Sequence, residues 1–415
     1  MEFNYKFWLK FSLINLFFVA CLGLLMRYKI GFEFPFLDQK HLQHSHSHFA
    51  FSGWISHTIM VLMLLFLENI IHKTENLKAS FRKYKILIIA NLICAYGMLI
   101  FFIIQGYGLF SIIFSTSSIV VACIFAYYYF RDLKLISSDS ASVNWFKAAL
   151  FFNIISSFGT FFLAYMMITK NIHQEEYLAS IYYYLHFQYD GWFYFACMGL
   201  FFHLLDIKKS DNSFYNISFK LLFISCIPAY FLSTLWFDLP IWIYVLTVLA
   251  AFIQVYAWFK LLYILIKTKL EVVENYPYFL RYILLFVGFA LSVKFLLQLG
   301  STIPALSQLA FGFRPIVIAY LHLVLLAVIS LFLLFYIYAN HVFYINKSIK
   351  FGVILFSIGV LLNEIILAVQ GIAAFSYTGI PFVNEMLFGA AIILVTGIGI
   401  TAFYSINNKR KSFEL

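Results

Sequence analysis

The sequence predicts an all-α polytopic membrane protein, and three observations carry that expectation. The chain is 63% hydrophobic and only 11% charged, with mean hydropathy +0.90, whereas a soluble domain carries roughly 25% charged residues. Apolar stretches recur along the whole length, each close to the roughly 20 residues that cross about 30 Å of hydrocarbon as a helix. The roughly 10-residue alternating segments of a membrane β-barrel are missing from the pattern. No polar stretch is long enough for a soluble domain, so a single integral membrane domain over residues 1–415 is expected.

Twelve spans are expected, near 8–26, 46–67, 86–106, 109–130, 147–168, 180–204, 217–237, 240–266, 277–299, 315–338, 351–371 and 383–404. Span 1 lacks a small-residue cleavage site and reads as a retained helix rather than a signal peptide. Span 2 opens on His46 and His48, after His41 and His44. Two residues apart, His46 and His48 point about 200° away from each other on a helix. His57 faces another environment. Span 6 carries His186 and Asp190, four residues apart and so on one face. His203 at its inner end and His341 past span 10 read as interfacial.

Spans 3 to 5, 7, 8 and 12 are defined by their apolar runs and the basic residues between them. Span 9 holds Lys294 and Gln298, again sharing a face. Span 10 begins with Arg314 and carries Tyr320 and His322. Span 11 holds Asn363, Glu364 and, deeper, Gln370. Ionisable residues inside the membrane are costly and mark functional sites by default. Asp190, Lys294 and Glu364 therefore form a candidate polar pathway. Asp190 is placed either to orient an imidazole or to pair with Lys294. Glu364 is either a proton-relay member or a neutral, hydrogen-bonded acid.

Net charge is +10, but the charges lie in short loops and read as topology signals and anionic-lipid contacts, not as a nucleic-acid surface. Of 28 Lys and Arg, 22 fall at the chain ends and in even-numbered loops, among them Lys73, Lys78, Arg82, Lys83, Lys85, Lys409, Arg410 and Lys411. Arg27, Lys29, Lys40, Lys170 and Arg314 fall on the other side. The bias places both termini in the cytoplasm and the chain in a bacterial inner (plasma) membrane. Cys21, Cys94, Cys123, Cys197 and Cys226 all lie in apolar runs and form no CxxC, so they read as small buried residues.

Three segments stand out against this background: His46-Ser-His48 followed by Gly53 and Trp54, Tyr184-Leu-His186 followed by Gly191 and Trp192, and Tyr320-Leu-His322 followed by Ala327. His48 and His186 are 138 residues apart, and His186 and His322 are 136 apart. Each histidine starts a span running from outside to inside, four spans from the next. The chain therefore reads as three four-helix units, approximately 1–130, 131–266 and 267–415, with pseudo-threefold symmetry. Imidazole ligates metals and heme iron, and a helix fixes its direction. Gly53 and Gly191 offer close approach to a neighbouring helix or a macrocycle, and Trp54 and Trp192 offer a stacking surface.

Twelve spans in three arcs, with histidines on spans 2, 6 and 10, resemble subunit I of the heme–copper oxidase superfamily. The segment around His46, His48, Gly53 and Trp54 is similar to that of short, divergent members. The resemblance implies a low-spin, non-covalent heme b held by His48 or His46 and by His322. Arg314 would be placed to meet a propionate, and His186 would match the span-6 copper ligand. The pattern departs at Tyr320, which stands where the family has a histidine, and in span 7, which has none. Copper is therefore not expected, and oxygen reduction is in doubt. The activity implied is electron transfer or diatomic-gas sensing by a respiratory-chain oxidoreductase with an unidentified redox partner subunit. Tyr320 would then offer an axial ligand for a second heme. The alternatives are a non-redox transporter or channel using Asp190, Lys294 and Glu364, and a metal-free assembly subunit retaining the fold.

Overall fold

The computed structural model describes residues 3–71, 81–134 and 139–407. Lys73, Lys78, Lys409, Arg410 and Lys411, used above for orientation, lie outside the described residues. Helices α1 to α5 are Tyr5–Gly31, Gln39–Phe49, His57–Ile71, Phe81–Gln105 and Leu109–Lys134. Helices α6 to α10 are Ser142–Thr169, Gln174–His186, Tyr194–Leu204, Ser213–Cys226 and Ile241–Glu274. Helices α11 to α16 are Tyr278–Gly300, Pro304–Gly312, Arg314–His322, Leu331–Ala339, Lys347–Phe375 and Val383–Ile406. The described residues contain no strand, only one isolated bridge between Ser140 and Lys208.

Side chains start several of these helices. Asn4, Asp38, Asn212 and Asn346 each accept a hydrogen bond from an amide of the first turn, which satisfies donors a helix N-terminus otherwise leaves unpaired. Pro240 and Pro277 precede α10 and α11, and Pro315 sits in the first turn of α13, where a missing N–H costs nothing. Pro228 has the opposite effect. It follows α9 and forces the chain into a 3₁₀ segment, Pro228–Thr234, bent by 44° from α9.

Among the described residues, ten helices are long and apolar enough to cross a membrane, and eleven if the bent pair Ser213–Cys226 and Pro228–Thr234 is one span. The all-α polytopic reading of the sequence stands on these helices. The expected span near 180–204 lies inside a helical run from Gln174 to Leu204 but is not among the ten. His186, Gln188, Asp190 and a row of tyrosines lower its apolarity.

The helices cluster into two compact units, Met1–Tyr129 with Ser330–Leu415, and Phe130–Ile329. The first break coincides with the end of the first expected repeat. The second expected break, near 266, falls inside the unbroken α10, while α16 packs on α1 and α15 and so joins the first unit. In that unit Gly352 and Gly397 let the backbones of α15 and α16 touch: a methyl on Gly352 would meet the Gly397 carbonyl at 2.9 Å. In the second unit Gly159 of α6 does the same against α7, where a methyl would lie 2.6 Å from the Ser180 carbonyl.

Candidate functional site

Each of the three recurring histidines is followed, within one or two residues, by a π-helical segment: Ala50–Ser56 after His48, Phe187–Phe193 after His186 and Leu323–Ser330 after His322. A π turn widens the helix, leaves backbone groups less well paired, and is frequently found at functional sites. Inside a membrane those groups need partners, and in the first unit the partners are visible. Asn15 Nδ2 donates to the Gly53 carbonyl at 2.5 Å, and Asn91 Nδ2 donates to the Ser52 carbonyl at 3.1 Å. Tyr96 in turn holds Asn15, its hydroxyl donating to Oδ1 at 2.7 Å. Trp54 is buried and its indole donates to Ser330 Oγ at 2.8 Å. Gly53 faces Phe49 of its own helix and Gly191 faces Phe152 of α6, so side-chain packing explains both glycines.

The imidazoles meet different partners. His46 Nδ1 lies 3.1 Å from the Val19 carbonyl, and His322 Nδ1 lies 2.8 Å from the Ile318 carbonyl. A carbonyl only accepts, so Nδ1 carries the proton in both, and the neutral ring has its lone pair on Nε2. A backbone carbonyl holding the second nitrogen is the usual support of a metal-ligating imidazole. His48 is arranged otherwise. Its Nε2 is 3.1 Å from the Tyr107 hydroxyl, and its ring stacks on Phe102 with centroids 4.3 Å apart. On the same helix face, His44 packs edge-on against Tyr107. Arg314 is exposed at the start of α13.

His186 stands at the centre of a buried polar cluster in the second unit. Its Nε2 lies 2.8 Å from the Cys226 carbonyl and its Nδ1 3.2 Å from Asp190 Oδ2. Lys294 Nζ is 2.7 Å from Asp190 Oδ1, and Gln298 Nε2 donates to Oδ2 at 3.2 Å. His186, Asp190 and Lys294 are 1%, 4% and 2% exposed. Asp190 follows His186 by four residues and lies on the same face, while Gln188 turns to α6 and donates to Asn153 Oδ1 at 3.0 Å and Ser156 Oγ at 2.7 Å. The Lys294 ammonium also rests on the Phe295 ring, 4.1 Å from its centroid. Nε2 of His186 thus faces a backbone carbonyl, and Nδ1 lies against the Asp190 carboxylate.

Glu364 lies in the first unit, where its carboxylate accepts from Asn363 at 3.1 Å. His57 is fully buried with Nε2 3.3 Å from the Trp8 carbonyl. The π turns and the role of Cys226 escaped sequence reading. The signal for the first was present in Asn15 and Asn91, polar residues inside spans that need a partner. No group of three or more His, Cys, Asp or Glu side chains among the described residues is arranged to hold a metal ion. No family model matches the chain, and no curated protein matches its sequence.

Proposed function

We propose that the chain is a divergent heme–copper-oxidase-like membrane protein of twelve spans in three arcs, with cytoplasmic termini in a bacterial inner membrane. In this reading it binds heme b through span 2 and span 10 without copper. The observation that carries it is the recurrence of a histidine followed by a π turn on three helices at nearly equal spacing. His322 and His46 fit an iron ligand by their tautomer, since a backbone carbonyl holds Nδ1 and leaves Nε2 basic. His48 Nε2 faces the Tyr107 hydroxyl, and the span-2 ligand in this reading is His48 or His46. Arg314, exposed at the start of α13, suits a propionate. Iron held by two imidazoles supplies one-electron transfer rather than ligand activation, consistent with an electron-transfer or gas-sensing role alongside a separate redox subunit. A reduced-minus-oxidised spectrum of the purified chain, made with ample heme, tests this. The expected result is a low-spin b-type spectrum lost in His322→Ala and in either His48→Ala or His46→Ala. Absence of any heme absorbance ends the reading.

A second reading, transport without redox chemistry, is favoured by the buried Asp190–Lys294 pair. A buried ion pair is weak evidence for stability, and ionisable groups inside a membrane mark ion and proton routes. Proton or ion flux in proteoliposomes, abolished by Asp190→Asn or Lys294→Met while heme content is unchanged, is its expected signature.

A further inference from the structure

The hydrogen bonds around His186 count protons. Nε2 faces the Cys226 carbonyl at 2.8 Å, and a carbonyl only accepts, so Nε2 bears a hydrogen. Nδ1 faces Asp190 Oδ2 at 3.2 Å. With a neutral ring and an ionised carboxylate, that contact would set a lone pair against a negative oxygen in a site nearly closed to water. It becomes a hydrogen bond only when one further proton sits between the two atoms, on Nδ1 or on Oδ2. Lys294 at 2.7 Å from Oδ1 and the Gln298 amide at 3.2 Å from Oδ2 already supply the other donors the carboxylate accepts.

We propose that His186, Asp190 and Lys294 form a proton-binding site that holds one exchangeable proton across the His186 Nδ1–Asp190 Oδ2 contact. Uptake takes a proton from water and raises the charge of the cluster by one. Release returns it to water and leaves a neutral ring whose Nδ1 lone pair opposes the carboxylate. The released state is relieved by turning Asp190 toward Lys294 and Gln298, so proton occupancy is tied to the conformation of the π turn that carries Asp190.

The surroundings agree with such a site. From the same helical run, Tyr189 and Tyr194 face the carboxylate; α9 contributes Cys226, whose thiol donates to the Asp190 carbonyl at 3.8 Å. The 3₁₀ segment brings Tyr230 against His186, α11 brings Lys294, and α13 brings Tyr320. The hydroxyls of Tyr194 and Tyr320 and the Gln298 carbonyl oxygen are buried and make no hydrogen bond. This inference deepens the transport reading and does not depend on heme.

The test is ¹⁵N NMR of the full-length protein in detergent, labelled in histidine, as pH is varied, together with infrared detection of a protonated carboxyl. The expected result is a His186 ring with both nitrogens protonated, or a carboxylic C=O band removed by Asp190→Asn, at neutral pH and titrating as one proton. Lys294→Met is expected to move that titration to higher pH, because a positive neighbour has been removed. Labelled aspartate identifies His186 in the wild-type chain through space, so the result stands even if the variants do not fold. A neutral ring beside an ionised Asp190 at every pH overturns the proposal. Proton flux in proteoliposomes separates the two ideas: a neutral ring with flux intact removes the proton site and leaves transport standing, whereas an occupied site without flux keeps the site and removes transport.

Discussion

Lys294 and Asp190 show how strongly one buried contact constrains its neighbours. Either charge alone, at 2–4% exposure, lacks the water that would solvate it. Asp190→Ala is expected to destabilise the chain by about 3–5 kcal/mol, the cost of leaving one member of a buried pair uncompensated. The double variant Asp190→Asn with Lys294→Met is expected to recover most of that loss, since neither charge then remains. Thermal melting in detergent measures both, and a double variant no more stable than Asp190→Ala would show that the pair is not the source of the loss. Asp38 gives the contrasting, solvent-exposed case. Hydrogen bonds from the His41 and then the Lys40 amide hold its carboxyl below the usual carboxylate range. A depressed value adds stability that is present above the unfolded-chain value and is lost as pH falls through the folded one. Protection of the Lys40 and His41 amides, measured against their intrinsic exchange rates at each pH, is therefore expected to fall in acid, and in Asp38→Asn to lose that pH dependence while the cap persists.

Among the elements, the π turn of span 2 depends on two asparagines from α1 and α4. Asn91→Leu removes the donor from the Ser52 carbonyl and is expected to cost about 1 kcal/mol, within the range measured for polar contacts between membrane helices. Faster amide exchange confined to Ala50–Ser56 would mark that loss. Helix crossings give a sharper contrast. A methyl on Gly159 meets α7 backbone, whereas one on Gly288 of α11 meets nothing within 4 Å. Gly159→Ala is expected to lose about 1–3 kcal/mol through overpacking, and Gly288→Ala to be neutral or slightly stabilising. Equal melting of the two would mean that α6 and α7 can separate without loss.

For the whole molecule, the open count is one crossing. Ten helices, or eleven with the bent pair, are apolar enough to span, and Gln174–Leu204 supplies the twelfth only if its polar residues are sheltered. On that run His186, Gln188 and Asp190 are all buried and hydrogen-bonded or ion-paired within the protein, which is the condition a crossing there would have to meet. Topology reporters at His173 and Ser210 are expected on opposite sides of the membrane, and reporters at the two termini on the same side. Finding His173 and Ser210 on one side would remove the twelfth span and the symmetry built on it.

Composition and the 20-residue apolar period alone determined the helical membrane class, because hydrocarbon admits few other ways to satisfy a backbone. The i,i+4 spacing of His186 and Asp190, and of Lys294 and Gln298, placed each pair on one face, since that follows from the helical repeat. It left open whether Asp190 would serve the histidine or the lysine. Packing decided that it contacts both, by bringing α11 against a π turn that no sequence period announces. Packing also set His186 Nε2 against the Cys226 carbonyl and distinguished His46 from His48 through Val19 and Tyr107. Those outcomes depend on which helices become neighbours, and neighbours are chosen by long-range close packing rather than by any local run of residues.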